Sequence, residues 1–385
     1  MSDWNEYIKK ITKNIKKSSG SSYFKNFKQK YEPKSIKELE QWIETFVTDK
    51  TGKKIHPMNK QLTMVWDIFS GNVSSAILWK TRGTGGTLFA GILAWLIMVF
   101  RLKSVTDMAG SFEQGKNLYK YVLGIWNSNK EFYDLLLKEP TQSKTILKYT
   151  SIGEELYEQW QSELGVNLEV MASSDTKARG GHNPMFIGDE ACQKEKNKEE
   201  NMQNAIQGVF ANQMEAIIFI LSTYHLPTGL FADLWTYALE KGFKRYKWNI
   251  YDAMKKCDWK GKCEDCPLSR YEIKEIGGKV VKYKRGCWGI ARRSDGWYDR
   301  KSVIHMFQSQ INLYKWSVEH EGVKPIGGRH IFTNYEDFVI WKFIAPKLVK
   351  GVKFYSVDWG KGATAMLFGW LLESLTLTSP EQLVE

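Results

Sequence analysis

Residues Ile77-Leu-Trp-Lys-Thr-Arg-Gly-Thr-Gly-Gly-Thr-Leu-Phe-Ala-Gly91 join an apolar strand, a glycine-rich turn and an apolar helix. This order is typical of a phosphate-binding P-loop, in which backbone N–H groups at a helix N-terminus hold the phosphates. In the pattern G-x-x-x-x-G-K-[ST], Gly86 takes the place of the lysine and Lys80 that of the first glycine. A glycine-rich turn without nucleotide explains the segment equally well when it is considered alone.

The loop offers what a triphosphate needs, namely close approach of the backbone, a helix N-terminus and a long cation. Three glycines permit the approach, and a lysine and an arginine supply positive charge. Thr87 lies at the start of the helix, and its hydroxyl is placed to hold Mg²⁺. We therefore expect ATP to contact Lys80, Thr81, Arg82, Gly83, Thr84, Gly85, Gly86 and Thr87.

A strand with an acidic end follows at Pro184-Met-Phe-Ile-Gly-Asp-Glu190. A P-loop ATPase needs such a strand beside the loop, because an aspartate there holds Mg²⁺ and a second polar residue positions the attacking water. The pattern assigns Asp189 to Mg²⁺ and Glu190 to the water. An acidic pair at the surface after a strand is the alternative interpretation.

Two further segments fit the same core. Ile217-Ile-Phe-Ile-Leu-Ser-Thr223 is a second buried strand with a polar tip, and this tip, with Thr223, is placed to sense the γ-phosphate. His56-Pro-Met-Asn-Lys-Gln61 precedes a helix, and we expect Gln61 to hydrogen-bond an adenine edge. The order and spacing of the four pieces indicate one ATPase core.

Together these segments resemble the ATPase–nuclease large subunit of bacteriophage terminases, the motor that packages DNA. The similarity covers roughly residues 50–370, and the shifted lysine is shared by some terminases. Within the ATPase part, the similarity rests on Gln61, on residues 80–87 as a deviant Walker A motif and on 187–190 as Walker B. The segment 178–181 is also similar, and 221–223 resembles the coupling motif. Residues 357–360 resemble the first strand of a ribonuclease H-like nuclease.

The resemblance implies an α/β fold, a RecA/ASCE-like P-loop ATPase with a mainly parallel sheet. It implies ATP and Mg²⁺ as cofactors, with Lys80, Arg82 and Glu190 as catalytic residues. The implied partners are double-stranded DNA moved into a procapsid, a portal protein, a small terminase subunit and other copies of the chain in a ring. The implied location is the host cytoplasm, and not the mature virion.

Two other functions remain open. One is a DNA-binding recruitment module that resembles a P-loop protein but does not turn over ATP, and the other is a helicase-like DNA translocase. The Asp189–Glu190 pair favours turnover, because a pure binding module has no need of the glutamate. The absence of lysine at position 86 favours loss of activity.

Composition agrees with a nucleic-acid partner. The 385 residues carry 55 Lys and Arg against 43 Asp and Glu, a net charge of +12 that suits a polyanion. The longest apolar run, residues 88–100, is too short to span a bilayer. The N-terminus lacks the pattern of a signal peptide, so we expect no membrane partner and a reducing compartment.

Four of the five cysteines fall in one short polar stretch, at Cys257, Cys263, Cys266 and Cys287. Since disulfides are unlikely products of a reducing compartment, four thiolates around a C-x-x-C knuckle suit tetrahedral zinc. An iron–sulfur cluster also takes four thiolates, and four unconnected free cysteines are the third possibility. We expect a structural metal, and we expect Cys192 to be a small core residue.

We divide the chain into a helical N-terminal arm (1–48), a P-loop ATPase core (49–244), a lid subdomain with the cysteine knuckle (245–347) and the start of a nuclease domain (348–385). The basic and aromatic stretch 244–248 and the pair 292–293 are either DNA contacts or a solvated face. Asp358 matches the first carboxylate of a two-metal nuclease, and the residues after it offer no scaffold for the others. We therefore expect no nuclease activity from this chain.

Overall fold

The computed structural model describes residues 20–49, 51–136, 139–147, 166–173, 183–192, 195–212, 215–276, 279–325, 351–360 and 363–372. It divides into two compact units, Met1–Tyr271 with Lys284–Ile326 and Glu272–Tyr283 with Gly327–Glu385. The 178–181 segment of the terminase-like pattern lies outside the described residues.

Helices and strands alternate through most of the described chain. The helices are α1 Gly20–Tyr31, α2 Ile36–Phe46, α3 Asn59–Phe69, α4 Gly86–Arg101, α5 Phe112–Ser128, α6 Lys130–Tyr133, α7 Lys196–Asn212, α8 Leu230–Thr236, α9 Arg300–Gln308 and α10 Leu313–Glu319. The strands are β1 Ser75–Trp79, β2 Val105–Ala109, β3 Lys144–Ile146, β4 Asn167–Ala172, β5 Met185–Asp189, β6 Ile217–Ser222, β7 Lys244–Lys247, β8 Ser269–Ile276, β9 Lys279–Gly286, β10 Gly351–Gly360 and β11 Ala363–Leu372.

A seven-stranded sheet in the order β3-β4-β2-β5-β6-β1-β7 forms the centre of the first unit. Every described pairing in it is parallel except that of β3 with β4. Strand β6 lies between β1, which leads into the P-loop, and β5, which ends in the acidic pair. The carboxyl ends of these three parallel strands therefore meet at one edge of the sheet, where open α/β sheets bind ligands.

Burial on both faces explains the apolar strands. Strands β1, β2, β5 and β6 are buried along their whole lengths, as expected for a parallel sheet covered by helices. Helix α4 follows the P-loop, and its residues from Phe89 to Phe100 are all buried. A helix that is apolar all round belongs inside a protein, so α4 anchors the loop in the core.

Short local patterns fixed the element boundaries well. Helix α5 begins at Phe112, and its N-cap Ser111 accepts a hydrogen bond from the backbone N–H of Gln114. The mixed α/β class with a mainly parallel sheet is confirmed.

Residues 245–271 and 284–325 belong to the same unit as the seven-stranded sheet, and several of them contact the P-loop directly. The division into four parts stays a prediction. Within the described residues, no helix combines the length and apolar character that a membrane crossing requires.

In the second unit, β10 and β11 form an antiparallel pair with Asp358 opposite Ala365. The role of Asp358 in a nuclease stays a prediction.

Candidate nucleotide-binding site

The P-loop borders a cleft of about 700 Å³ at the carboxyl edge of the sheet. Gly83 and Gly85 have φ angles of 77° and 75°, in the left-handed region that favours glycine. Gly85 is also the N-cap of α4, so the N-terminus of a long buried helix opens into the cleft. The lining includes Lys80, Thr81, Arg82, Gly83, Thr84, Gly85, Gly86, Thr87, Asp189, Glu190 and Thr223.

Lys80 is the centre of the polar groups in this cleft. Its Nζ donates to Glu190 Oε1 at 2.7 Å and to Thr87 Oγ1 at 2.8 Å, and lies 3.2 Å from Asp189 Oδ1. The side chain is only 8% exposed. The strand end, the helix start and the acidic strand end that were separate in the sequence therefore meet at one ammonium group.

Burial and charge act in opposite directions on these groups. Burial alone would lower the pKa of Lys80, but the carboxylates of Asp189 and Glu190 raise it above its ordinary value. Burial would likewise raise the pKa of Glu190, but Lys80 holds it below its usual range. Lys80 is therefore a fixed cation and Glu190 a fixed anion near neutral pH.

The glycine at position 86 and the lysine at position 80 depend on each other. A Cβ placed on Gly86 would lie 2.5 Å from Cδ of Lys80, closer than real Cβ atoms approach, and 3.0 Å from its Cβ. The stem of Lys80 thus occupies the space that a side chain at position 86 would need. The missing lysine and the shifted lysine are two aspects of one packing arrangement.

The polar end of β6 contacts Glu190. Ser222 Oγ lies 3.4 Å from Glu190 Oε2, and the backbone N–H of Thr223 lowers the pKa of Glu190 further. The carbonyl of Ser222 also accepts from the backbone N–H of Lys80 at 3.1 Å. Glu190 itself has a φ of 53°, an uncommon angle for a non-glycine residue. The expected coupling segment thus touches both the P-loop and Glu190.

Gln61 has a different contact from the adenine edge that we expected. Its side chain is fully buried, and Nε2 donates to the carbonyl of Thr84 at 2.9 Å. Its Oε1 accepts from the backbone N–H of Met58 at 3.0 Å. Both ends of the amide are used inside the protein, so in this structure Gln61 supports the P-loop from behind.

Three side chains from residues 245–325 support the loop in the same way, and sequence reasoning missed them. Trp248 Nε1 donates to Thr84 Oγ1 at 3.1 Å, and Tyr298 Oη donates to the carbonyl of Gly83 at 3.0 Å. Glu319 lies 3.2 Å from Nε of Arg82, whose side chain is 69% exposed. Aromatic residues far away in the chain carry no local signal that they contact a P-loop.

A further buried acid lies on the central strand β2. Asp107 is fully buried and neither carboxylate oxygen has a hydrogen-bond partner among the described residues. Burial, and then the charge of Asp189, raise its pKa well above the ordinary value, and the charge of Lys80 opposes them. The protonated form of Asp107 is therefore favoured by its surroundings, and its position within a buried strand hid it from the sequence pattern.

The four clustered cysteines line one small pocket of about 20 Å³, together with Trp259 and Arg292. Cys266 and Cys287 are buried, and Arg300 Nη2 lies 3.6 Å from Cys266 Sγ. Zinc bound by thiolates at about 2.3 Å needs sulfurs roughly 3.8 Å apart, whereas no three of these four lie within 4.8 Å of one another. Four thiols are suitable ligands for a metal ion, but the distances between their sulfur atoms are larger than in a zinc-bound site.

The crystal structure of the HK97 bacteriophage large terminase matches with a TM-score of 0.50 at 12% identity, covering 88% of this chain and 65% of that one. The fold is that of a large terminase. This chain spans 65% of the HK97 protein's length, and identity this low shows the fold alone.

Other solved structures match less well. The ATPase domain of the Thermus phage P74-26 large terminase has a TM-score of 0.40 at 13% identity, covering 74% of this chain and 98% of that one. The UvsW helicase of bacteriophage T4 has a TM-score of 0.36 at 12% identity, covering 56% and 68%. No protein-family model and no curated protein matches the chain.

Proposed function

We propose that this chain is the ATP-hydrolysing motor subunit of a viral terminase, which moves double-stranded DNA into a procapsid. The observation that carries the proposal is the convergence of Lys80, Thr87, Asp189 and Glu190 at the P-loop end of a terminase-like sheet. A packed glycine turn without nucleotide has no need of a buried lysine shared by two acids.

The site fits Mg²⁺ in its donor chemistry. Hydroxyl and carboxylate oxygens are the ligands that Mg²⁺ prefers, and those of Thr87 and Asp189 already surround a cation, the ammonium of Lys80. When bound, Mg²⁺ neutralises the β- and γ-phosphate oxygens. Thr87 and Asp189 are the residues that would hold it.

Lys80 has a double role in this proposal. Without nucleotide it balances the charge of Asp189 and Glu190, and with nucleotide it turns to the phosphates. Arg82, which is exposed at the rim, adds a second cation, and the N–H groups of the loop cradle the phosphates. The lysine has a flexible stem, so a move of this kind requires no change in the P-loop backbone.

Glu190 is the residue that orients the attacking water. Ser222 and Thr223 hold its carboxylate at the end of β6. A change in these contacts after loss of the γ-phosphate would pass along β6 and reach Lys80 through the carbonyl of Ser222. This supports the assignment of residues 221–223 to coupling.

We further infer the partners and location that go with a terminase motor. They are double-stranded DNA, a portal protein, a small terminase subunit, further copies of this chain in a ring, and the cytoplasm of the host rather than the mature virion. We also infer a structural zinc ion, or an iron–sulfur cluster, held by Cys257, Cys263, Cys266 and Cys287, because all four line one pocket.

The test is ATP hydrolysis by the purified chain with Mg²⁺, with and without linear duplex DNA. We expect turnover that duplex DNA stimulates, and no separation of its strands. DNA binding without any turnover, also in the presence of a portal protein, would favour the recruitment module. Strand separation coupled to hydrolysis would favour the helicase-like translocase.

A further inference from the structure

A second cavity, of about 520 Å³, opens at the carboxyl end of the edge strand β7. We call it the β7 pocket. None of its lining residues borders the nucleotide cleft, so it is a separate site among the described residues. Its charged and aromatic lining residues are Trp79, Lys247, Tyr251, Lys284, Arg285, Glu321 and Lys324.

The β7 pocket is positively charged. Three lysines and one arginine line it, and Glu321 is the one acid in the lining. Arg270 pairs with both oxygens of Glu321 at 2.7 and 2.8 Å, and Tyr251 Oη and Trp316 Nε1 donate to the same carboxylate. The negative charge of Glu321 is therefore balanced by Arg270. The three lysines and the arginine of the lining determine the charge that a ligand meets.

Lys247 is held in place by neutral groups. Its Nζ donates to the carbonyl of Gly322 at 2.7 Å and lies 3.6 Å from the ring centroid of Trp79. No described carboxylate lies within ion-pair distance of it. Burial of the ammonium lowers the pKa of Lys247 to about 8, with the charge of Lys60 adding to the effect and Asp252 opposing it. An anion would supply the missing counter-charge.

We propose that the β7 pocket binds phosphate groups of the DNA backbone. Lysine and arginine side chains are the usual donors to backbone phosphates, and the flat face of Trp79 and the hydroxyl of Tyr251 add no negative charge. The choice of DNA as the source of phosphate rests on the proposed motor function. The positive lining itself requires only a phosphate-bearing polyanion.

The pocket shares backbone with the P-loop. Trp79 directly precedes Lys80, and a Cβ on Gly322 would lie 3.3 Å from Cγ2 of Thr81. Three residues before Gly322, the carbonyl of Glu319 accepts from the backbone N–H of Arg82 at 2.8 Å. Phosphate bound at Lys247 therefore acts on the two segments that flank the loop, which gives DNA a route to stimulate hydrolysis.

The experiment measures binding of a fluorescent duplex DNA by anisotropy, without ATP, at several salt concentrations. We combine Lys247→Met, which keeps the packing on Trp79, with Lys324→Gln at an exposed position, and we also measure each single variant. Lys37→Gln, on the exposed side of α2, is the matched control. Thermal unfolding checks that each variant is folded.

We expect the double variant Lys247→Met/Lys324→Gln to bind DNA about tenfold or more weakly than the control. The slope of log K against log salt should fall by about 1 to 2, because each phosphate contact contributes about 0.9. Inorganic tripolyphosphate should compete with DNA for the wild type only at much higher concentration, since DNA presents an array of phosphates. Equal competition at matched phosphate concentration would identify a site for free polyphosphate and overturn the assignment to DNA.

DNA affinity and salt slope equal to those of the control would also overturn the inference. This failure differs from failure of the proposed function. A chain that binds DNA through the β7 pocket but hydrolyses no ATP contradicts only the motor. A chain whose ATPase is stimulated by DNA equally in all variants contradicts only the pocket.

Discussion

Lys80 and Gly86 form a single unit of structure, although they lie at opposite ends of the P-loop. The lysine stem fills the space beside Gly86, and the ammonium joins Thr87, Asp189 and Glu190. Removal of the lysine leaves two carboxylates close together in a buried site, where like charges raise each other's pKa. The effect of either substitution therefore depends on the residue at the other position.

Lys80→Ala should reduce ATP turnover by on the order of a hundredfold, because phosphate charge loses its buried cation. Gly86→Lys alone should also reduce turnover, since the new side chain meets the stem of Lys80. The exchange Lys80→Gly/Gly86→Lys should recover part of the activity that Lys80→Ala loses. Steady-state ATPase rates check this order, and unchanged kinetics in Lys80→Ala would refute the shifted-lysine assignment.

Asp107→Asn should stabilise the protein at pH 7. Burial raises the pKa of Asp107 in the folded state, so the folded chain binds more protons than the unfolded chain above about pH 4 and stability falls as pH rises. The amide removes this loss, by more than about 1 kcal/mol if the pKa is raised by over one unit. The gain should shrink as the pH is lowered towards 4.

Denaturant unfolding at several pH values measures this difference. Asp134→Asn, at an exposed aspartate, is the control and should show no such trend. A stability difference for Asp107→Asn that stays constant from pH 4 to pH 8 would show that Asp107 does not carry the raised pKa.

At the scale of elements, the sequence predicted those parts of the site that are built from local patterns. The strand before the P-loop, helix α4 and the acidic end of β5 all follow from apolar runs and turn residues, and the structure confirms them as elements. The contacts of Gln61, Trp248 and Tyr298 with the loop backbone could not be predicted. They depend on tertiary packing between segments distant in sequence, which periodicity does not encode.

The cysteine-bearing stretch is the element where metal removal is informative. We expect about one zinc per chain by elemental analysis, and Cys263→Ser should lose it. Chelation should lower the thermal unfolding midpoint by at least about 5 °C, since metal binding and folding of such a segment are coupled. Cys192→Ser is the control, because Cys192 lies in the nucleotide cleft.

An iron–sulfur cluster in this element would give a coloured protein with iron in place of zinc. Protein purified without chelator that contains neither metal would contradict the site. In that case the four sulfurs remain at their present spacing, which is wider than tetrahedral zinc requires, and do not bind a metal.

At the scale of the molecule, residues 245–271 and 284–325 belong to the same compact unit as the seven-stranded sheet, and this unit contains both the nucleotide cleft and the β7 pocket. The nucleotide cleft lies on one side of Lys80, and the β7 pocket begins with Trp79. An ATPase whose turnover is stimulated by DNA needs a structural link of this kind between its DNA site and its nucleotide site.

The measurement that tests the motor most directly compares ATP binding and duplex-stimulated hydrolysis in Glu190→Gln. The amide keeps the size of the side chain but cannot orient the attacking water as a carboxylate does. The account predicts that a fluorescent ATP analogue binds with affinity near that of the wild type, while turnover falls by on the order of a hundredfold or more. Normal turnover by a folded Glu190→Gln protein would contradict the assignment of this site as the catalytic centre.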